Sequence, residues 1–358
     1  MELPALKIGH IVSKLPVIQG GMGVGISVAG LASAVANEGG IGVISTIMIG
    51  MGEPGFNTNN PQTHIAVLKR EIRKAKELSR GVLGVNIMVA STIFGDTVRA
   101  AIDENIDVIF AGAGLPLNLP GYLQKGNRTK LVPIVSSGRA AKILCKKWLS
   151  GFKYLPDAFV VEGPMAGGHL GFKAEQIEDL DFALEKLVPD VLEAVKPFER
   201  SEKKEIPVIA AGGIYNGDDI YRFLQMGAAG VQLGTRFVAT HECDADIAFK
   251  ETYIAAKEED LVIIKSPVGL PGRAIRNQFI ERINNGEKKP LNCPFHCLKT
   301  CNPEKSQYCI ALALESARRG KMKHGFAFAG QNAFRVTEIV SVKELIDSLK
   351  AEFSLAAA

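Results

Sequence analysis

Eight short apolar runs recur along the chain, and most of them end in glycine or a small polar residue and lead into a helical pattern. Runs that are apolar at consecutive positions are expected to be buried on both faces, which is typical of parallel strands covered by helices. Eight strand–helix units over about 235 residues match the usual size of a (β/α)8 TIM barrel, an α/β fold. The alternative is an open, doubly wound sheet, since one sequence does not reveal strand order. The runs are 16–19, 41–45, 82–87, 107–110, 131–135, 158–161, 207–210 and 230–233.

The part of the chain after the eighth run is expected to form a separate unit. Residues 239–323 hold helical stretches and a cysteine-rich patch, and we interpret them as a small, mainly helical subdomain inserted after the eighth strand. Residues 1–238 would then form the barrel, and residues 324–358 a C-terminal segment that returns to it. Within that segment, 342–350 has apolar residues at helical spacing, which predicts an amphipathic helix that closes the barrel.

Length and composition exclude several classes of protein. The chain has 358 residues, of which 47% are hydrophobic and 22% charged, so it can bury a large core. Its formal net charge is only +4 and its basic residues are spread out, which argues against a nucleic-acid partner. Residues 1–7 lack the pattern of a secretory signal, and no stretch approaches the ~18 uninterrupted apolar residues of a membrane helix. Because the six cysteines also do not suggest a secreted disulfide scaffold, we expect a soluble cytoplasmic protein with no membrane partner.

Glycines at the ends of the seventh and eighth runs predict a phosphate-binding rim. Gly212 and Gly213 follow the seventh run, and Gly234 and Thr235 follow the eighth. The loops after strands seven and eight of such barrels frequently bind phosphate through backbone N–H groups, and glycine lets the backbone approach a ligand closely. The alternative is that these glycines only make tight turns.

Two polar side chains stand at the same predicted rim. His169 follows a pair of glycines after the sixth run, and an imidazole can exchange protons near neutral pH. We therefore predict that His169 is catalytic, with a structural histidine as the alternative. Asn86 lies near the end of the otherwise apolar third run, where its amide could bond the edge of a ring system. A satisfied core amide would explain Asn86 almost equally well.

Four clustered cysteines are a candidate metal site. Cys293, Cys297, Cys301 and Cys309 have the spacing C-x3-C-x3-C-x7-C, and the first three could share one face of a helix. Four thiolates could bind zinc or an iron–sulfur cluster. The spacing matches no standard motif for either, and reduced structural thiols or a redox pair are the alternatives.

Five motifs are spread over the predicted barrel, namely Gln19-Gly-Gly-Met22, Gly84-Val-Asn-Ile-Met88, Glu162-Gly-Pro-Met-Ala-Gly-Gly-His169, Ala210-Ala-Gly-Gly-Ile214 and Gln232-Leu-Gly-Thr-Arg-Phe237. Together they resemble the nitronate monooxygenase (2-nitropropane dioxygenase-like) flavoproteins and their close relatives, the flavin-containing enoyl-ACP reductases. The resemblance covers residues about 3–280 and the end of the chain. It implies that the barrel of residues 1–238 binds FMN.

The resemblance also implies a role for individual residues. His169 would be the catalytic residue, and the phosphate of FMN would lie at the glycines and the threonine of the predicted phosphate rim. The full set of cofactor-binding residues would be Met22, Asn86, Glu162, Gly167, Gly212, Gly213, Gln232, Gly234 and Thr235.

Two positions depart from the family pattern and leave the substrate open. Met165 stands where the family usually has glutamate, and Glu162 stands where the monooxygenases commonly have glutamine but the enoyl reductases resemble this chain. The leading hypothesis is an FMN-dependent nitronate monooxygenase that oxidises alkyl nitronates with O2. The alternatives are an NAD(P)H-dependent enoyl-ACP reductase and a redox sensor or electron-transfer protein that carries flavin and metal. The sequence predicts a small-molecule substrate and leaves NAD(P)H and a homo-oligomer open.

Overall fold

The computed structural model of the chain describes residues 2–56, 61–289, 293 and 295–358. Within these residues the strands are β1 (Leu6–Ile8), β2 (Ile11–Ser13), β3 (Val17–Gln19), β4 (Ile41–Ser45), β5 (Val82–Met88), β6 (Val108–Gly112), β7 (Lys130–Val135), β8 (Phe159–Glu162), β9 (Gly168–His169), β10 (Val208–Ala211), β11 (Gly230–Leu233), β12 (Leu261–Lys265) and β13 (Pro271–Ile275). The α-helices of the described residues are α1 (Ala29–Asn37), α2 (Pro61–Leu78), α3 (Phe94–Asp103), α4 (Gly138–Phe152), α5 (Leu184–Glu202), α6 (Gly217–Gln225), α7 (Thr235–Val238), α8 (Ile247–Ala255), α9 (Gln278–Asn284), α10 (Ile310–Arg318) and α11 (Val342–Ala356).

Eight parallel strands close into a barrel in the order β3-β4-β5-β6-β7-β8-β10-β11. The pairing of β11 with β3, in which Val231 lies opposite Val17, closes the ring. These strands correspond to the eight apolar runs, and every residue of β3, β4, β6 and β10 is buried, as runs that are apolar on both faces predict. The predicted (β/α)8 barrel is confirmed, and the open-sheet alternative is wrong because the sheet has no free edge.

A short hairpin covers one end of the barrel interior. Strands β1 and β2 pair antiparallel before the barrel begins. Leu6, Ile8 and Ile11 from this hairpin are buried in one cluster with barrel residues such as Ile18 and Phe110. The opposite end, where the strands finish, is left for the loops that build the functional site.

The segment after the eighth strand contains a sheet as well as helices. Strands β12 and β13 form an antiparallel hairpin, and β13 also pairs with β9, so that a three-stranded sheet joins this segment to the barrel loop after β8. The segment has its own apolar cluster, which includes Ile264, Phe279, Tyr308 and Phe326. The helices α8, α9 and α10 also lie in this segment, and the hairpin was not expected from the sequence.

The C-terminal helix α11 packs on the outside of the barrel against α6 and α1. Its first turn is fixed by a capping box between Ser341 and Glu344. The contact with α6 is so close that a Cβ on Gly217 would lie 2.1 Å from the backbone nitrogen of Phe353. The predicted closing helix is therefore present. No helix in the described part of the chain combines the length and apolar character that crossing a membrane requires.

Candidate active site

A cavity of about 340 Å³ lies at the carboxyl ends of the barrel strands, where barrel enzymes carry their chemistry. All the predicted cofactor-binding residues and His169 line it. The barrel supplies its floor and rim, while one wall comes from the later segment of the chain. The described residues of that wall include Tyr253, Cys297, Leu298, Ile310, Ala311, Leu314, Phe328, Ala329 and Gly330.

The ends of β10 and β11 form the glycine-rich side of this cavity. Gly212 and Gly213 have φ angles of +94° and +87°, which other residues rarely adopt. A Cβ added to Gly234 would meet no atom within 4 Å, so this position opens directly onto free space. The hydroxyl Oγ1 of Thr235 accepts a hydrogen bond of 3.0 Å from the backbone N–H of Gly330, which leaves its own proton available for a ligand. This side can therefore receive an anion such as a phosphate.

The ends of β3 and β5 meet closely on another side of the cavity. A Cβ on Gly21 would lie 2.4 Å from the Cβ of Asn86, so only glycine lets the two loops approach this far. The turn that carries Met22 is held by Ser27, whose Oγ accepts a hydrogen bond of 2.9 Å from the Met22 backbone N–H. The side chain of Gln232 lies beside Gly20. The amides of Asn86 and Gln232 thus lie at the wall, where they can bind the polar edge of a ring.

Residues 328–331, here called the C-terminal strap, contribute Phe328, Ala329 and Gly330 to the wall of the cavity. A Cβ on Gly167 would lie 2.5 Å from the carbonyl carbon of Ala329, so the loop after β8 needs glycine there. The backbone N–H of Gln331 donates to the carbonyl of Met165 at 3.0 Å. The strap therefore joins the loop after β8 to Thr235, and the end of the chain completes the site.

Glu162 places a carboxyl group at the end of β8, on the wall of the cavity. Burial raises the pKa of this carboxyl to about 7, because the charged form loses its hydration. Near neutral pH the group is therefore divided between the acid and the carboxylate, and it can either donate or accept a hydrogen bond.

His169 is held by the small sheet rather than by the barrel itself. It pairs with Gly272 of β13, and its Nε2 lies 2.7 Å from the hydroxyl Oγ of Ser266. The ring of Phe328 packs edge-on against the imidazole at a centroid distance of 5.0 Å. Burial lowers the pKa of His169 to about 4, so the imidazole is neutral at pH 7 and can take up a proton.

Three residues that position the site could not be recognised from the sequence. Ser266 and Phe328 contact His169 only because β12, β13 and the strap fold back over the barrel. The buried guanidinium of Arg273 donates from Nη2 to the carbonyl of Pro164 at 2.8 Å, which supports the loop after β8. The local sequence around these residues does not indicate their role, because each acts through a contact with a residue distant in sequence.

The prediction of zinc or an iron–sulfur cluster at Cys293, Cys297, Cys301 and Cys309 finds no support. Among the described residues, no group of three or more histidine, cysteine, aspartate or glutamate side chains is arranged to hold a metal ion. The helix expected across the first three is not formed where the chain is described, and Leu298 instead bridges to Ser91 of the barrel. Burial also raises the pKa of the Cys297 thiol to about 12, which disfavours the thiolate that a metal needs.

Comparisons with known proteins identify the family of this chain. The profile of the nitronate monooxygenase family matches residues 5–352. A (3aS,4S,5R,7aS)-5-hydroxy-7a-methyl-1-oxo-octahydro-1H-indene-4-carboxyl-CoA dehydrogenase from Mycobacterium tuberculosis is 30% identical over 273 residues, 76% of this chain and 66% of that protein. The chain thus spans just under two thirds of that relative. A probable nitronate monooxygenase from Staphylococcus saprophyticus is 24% identical over 98% of this chain and 97% of its own length.

Solved structures support the same barrel. FabK from Thermotoga maritima is similar with a TM-score of 0.73 and 29% identity, and the match covers 96% of this chain and 93% of that chain. A nitroalkane oxidase from Streptomyces ansochromogenes has a TM-score of 0.72 at 23% identity, with 96% and 97% covered. At that identity the second likeness bears on the fold alone.

Proposed function

This chain belongs to the nitronate monooxygenase family and is an FMN-dependent oxidoreductase, and we propose that it oxidises alkyl nitronates with O2. The observation that carries the proposal is the buried, neutral imidazole of His169 on the wall of the cavity that would hold the flavin. A neutral base beside the flavin suits a nitroalkane, which must lose the proton next to its nitro group to become the nitronate that is oxidised.

The lining of the cavity supports FMN binding at both of its ends. At the β10–β11 side, Gly212, Gly213, Gly234 and Thr235 would hold the phosphate, supported by the open space at Gly234 and the spare hydroxyl proton of Thr235. At the other side the flavin ring would lie against a wall of small and polar side chains, where the residues proposed to contact it are Met22, Asn86, Glu162, Gly167 and Gln232. When it is bound, FMN supplies the electron acceptor for the substrate and the reaction with O2.

The protein's own contribution is to bind, orient and exchange protons. If Nε2 of His169 carries the ring proton and donates it to Ser266, Nδ1 is free to take the proton α to the nitro group. In the other tautomer, the Nδ1–H group would orient the anionic nitronate. Leu298, Ile310, Leu314 and Phe328 would pack on the alkyl part of the substrate and exclude water.

A second candidate is an NAD(P)H-dependent reductase of enoyl thioesters on the same scaffold. Glu162 favours it, since the resemblance places glutamate at this position in the reductases. In that case a carboxyl group that is protonated near neutral pH would be the proton donor facing the substrate.

Anaerobic reduction of the bound flavin separates the two candidates. Bleaching of the flavin absorbance by an alkyl nitronate but not by NADH or NADPH is expected for the monooxygenase. Rapid bleaching by NADH or NADPH alone would reject the monooxygenase and support the reductase. A purified protein that binds no FMN would reject both.

The location of the enzyme, the size of its substrate, its domain bounds and its oligomeric state are also part of the proposal. We propose a cytoplasmic enzyme that acts on a small molecule, in which residues 1–238 form the flavin barrel and residues 239–323 the inserted unit. Residues 324–358 would return to close the barrel and its cavity. Sedimentation of the pure protein would test whether it is a homo-oligomer.

A further inference from the structure

Beside the proposed phosphate site lies a cluster made of Arg236, Tyr215 and Arg335, here called the Arg–Tyr–Arg cluster. Arg236 directly follows Thr235, and Tyr215 follows Gly213 by two residues. Two Cα steps span at most about 8 Å, so both residues stand next to the proposed phosphate-binding backbone. The third member, Arg335, comes from the 3-10 turn Gln331–Arg335.

Both arginines are fixed in place by the tyrosine. The Cζ atoms of Arg236 and Arg335 lie 4.4 Å and 4.2 Å from the centroid of the Tyr215 ring. The Tyr215 hydroxyl donates to the carbonyl of Arg335 at 2.6 Å, and Nη1 of Arg236 donates to the carbonyl of Tyr215 at 3.0 Å. Cation–π contacts and hydrogen bonds therefore hold two positive charges against one aromatic ring.

The same segments are tied to the phosphate side of the cavity. Asn332, in the turn that carries Arg335, donates from Nδ2 to the carbonyl of Gly213 at 2.6 Å. The strap residue Gly330 donates to Thr235, as described above. The position of the Arg–Tyr–Arg cluster is thus coupled to the backbone that would hold the anion.

The two positive charges are not neutralised by the protein. Among the residues that the structure describes, neither Arg236 nor Arg335 lies within ion-pair distance of a carboxylate. Arg222 on α6 contrasts with them, because it pairs with both Glu185 and Asp219 at 3.0 Å. Two close guanidinium groups without a counter-ion favour an anion nearby.

We infer that Arg236 and Arg335 supply the positive charge that attracts the flavin phosphate, so that the site selects FMN over unphosphorylated riboflavin. The inference rests on the proposed flavin site and adds to it a specificity that resides in the Arg–Tyr–Arg cluster. Riboflavin has the same ring system but lacks the phosphate, so it would gain nothing from these charges.

The test is a titration of flavin-free protein with FMN and, separately, with riboflavin, followed by quenching of flavin fluorescence. The double variant R236Q/R335Q is expected to weaken FMN binding about three- to tenfold and to leave riboflavin binding unchanged. The matched control R222Q removes a neighbouring charge that already has partners and should bind FMN like the wild type. R236K keeps the charge without the planar stack and should keep most of the FMN affinity.

The salt dependence of FMN affinity is a second readout, which would not change if the two arginines had only a structural role. Between about 50 mM and about 500 mM KCl, FMN affinity of the wild type should fall, and the double variant should lose most of this dependence. Equal weakening of FMN and riboflavin, or unchanged FMN binding with unchanged salt dependence, would overturn the inference while leaving the flavin site intact. A wild type that binds neither flavin would overturn the proposed function as well.

Discussion

The imidazole Nε2 of His169 lies 2.7 Å from the hydroxyl Oγ of Ser266, which is 97 residues further along the chain. The pairing of His169 with Gly272 in the small antiparallel sheet brings the two side chains together. Ser266 is itself buried, and its Oγ accepts a further hydrogen bond of 3.4 Å from the Val268 backbone N–H. The serine therefore fixes the ring that we propose as the base, and it acts as a positioning residue.

Removal of this hydroxyl should affect turnover more than binding. We expect S266A to lower kcat about tenfold, because the imidazole loses the contact that orients Nδ1. FMN affinity should be unchanged, and S266T, which keeps a hydroxyl, should recover most of the loss. Steady-state kinetics of the three proteins decide the matter, and an S266A variant with normal kcat would show that Phe328 alone orients the ring.

Removal of the His169 imidazole should lower activity far more than removal of the Ser266 hydroxyl. H169A is expected to lower kcat/KM for a neutral nitroalkane by about 10²- to 10⁴-fold, the usual contribution of a general base. FMN content should stay at the wild-type level, since His169 is not among the residues proposed to hold the cofactor. H324Q, which changes an exposed histidine, is the matched control. Equal losses in the two variants would point to a general loss of fold.

The ionisation of Glu162 should be visible both in activity and in stability. Its pKa is raised to about 7 by burial, so the wild-type pH profile should contain a step near neutrality that E162Q lacks. The folded state prefers the acid form, so this group opposes folding increasingly as pH rises from its unfolded pKa near 4.5 towards 7. Flavin-free E162Q should therefore be roughly 1–2 kcal/mol more stable than the wild type at pH 8 and no more stable at pH 4. Urea titrations at the two pH values measure this, and the same difference at both would exclude ionisation as its cause.

The features of the fold that depend on local sequence could be predicted. The apolar runs predicted the barrel because parallel strands buried on both faces leave this pattern. The glycines after β10, where the sequence predicts a close approach to a ligand, have positive φ angles. The hairpin β12–β13, which places Ser266 at His169, was not predicted. Its β13 strand pairs with the distant strand β9, and local sequence does not reveal such a pairing. The spacing of the cysteines did not predict their arrangement, because the described residues around the first three form no helix that would bring their thiols to one face.

Two glycines at the site should respond differently to the same substitution. G167A is expected to destabilise the protein, because the new Cβ would lie 2.5 Å from the Ala329 backbone in the strap. G234A should leave stability nearly unchanged, since its Cβ meets no atom within 4 Å, but the methyl group would occupy the space proposed for the phosphate. Thermal unfolding of the flavin-free proteins and FMN titrations separate the two effects. Normal FMN affinity of G234A would show that the phosphate does not bind at the end of β11.

Acid should destabilise the fold through a buried histidine outside the active site. His64 on α2 is 3% exposed, and burial lowers its pKa to about 4, whereas an unfolded histidine titrates near 6.5. Between pH 6.5 and pH 4 the unfolded chain therefore binds a proton that the folded chain does not bind. The contribution of His64 to the free energy of unfolding is fully present above pH 6.5 and is lost as pH falls towards 4. The loss from this residue is about 3 kcal/mol at most.

H64Q should remove that part of the acid sensitivity. The variant cannot take up the proton, so the difference between its free energies of unfolding at pH 7.5 and pH 4.5 should be smaller than that of the wild type by about 2 kcal/mol. His169 would still titrate in both proteins, so some acid sensitivity should remain. H324Q changes an exposed histidine and is the matched control, which should keep the acid sensitivity of the wild type. An H64Q variant with undiminished acid sensitivity would show that other groups, and not His64, govern unfolding in acid.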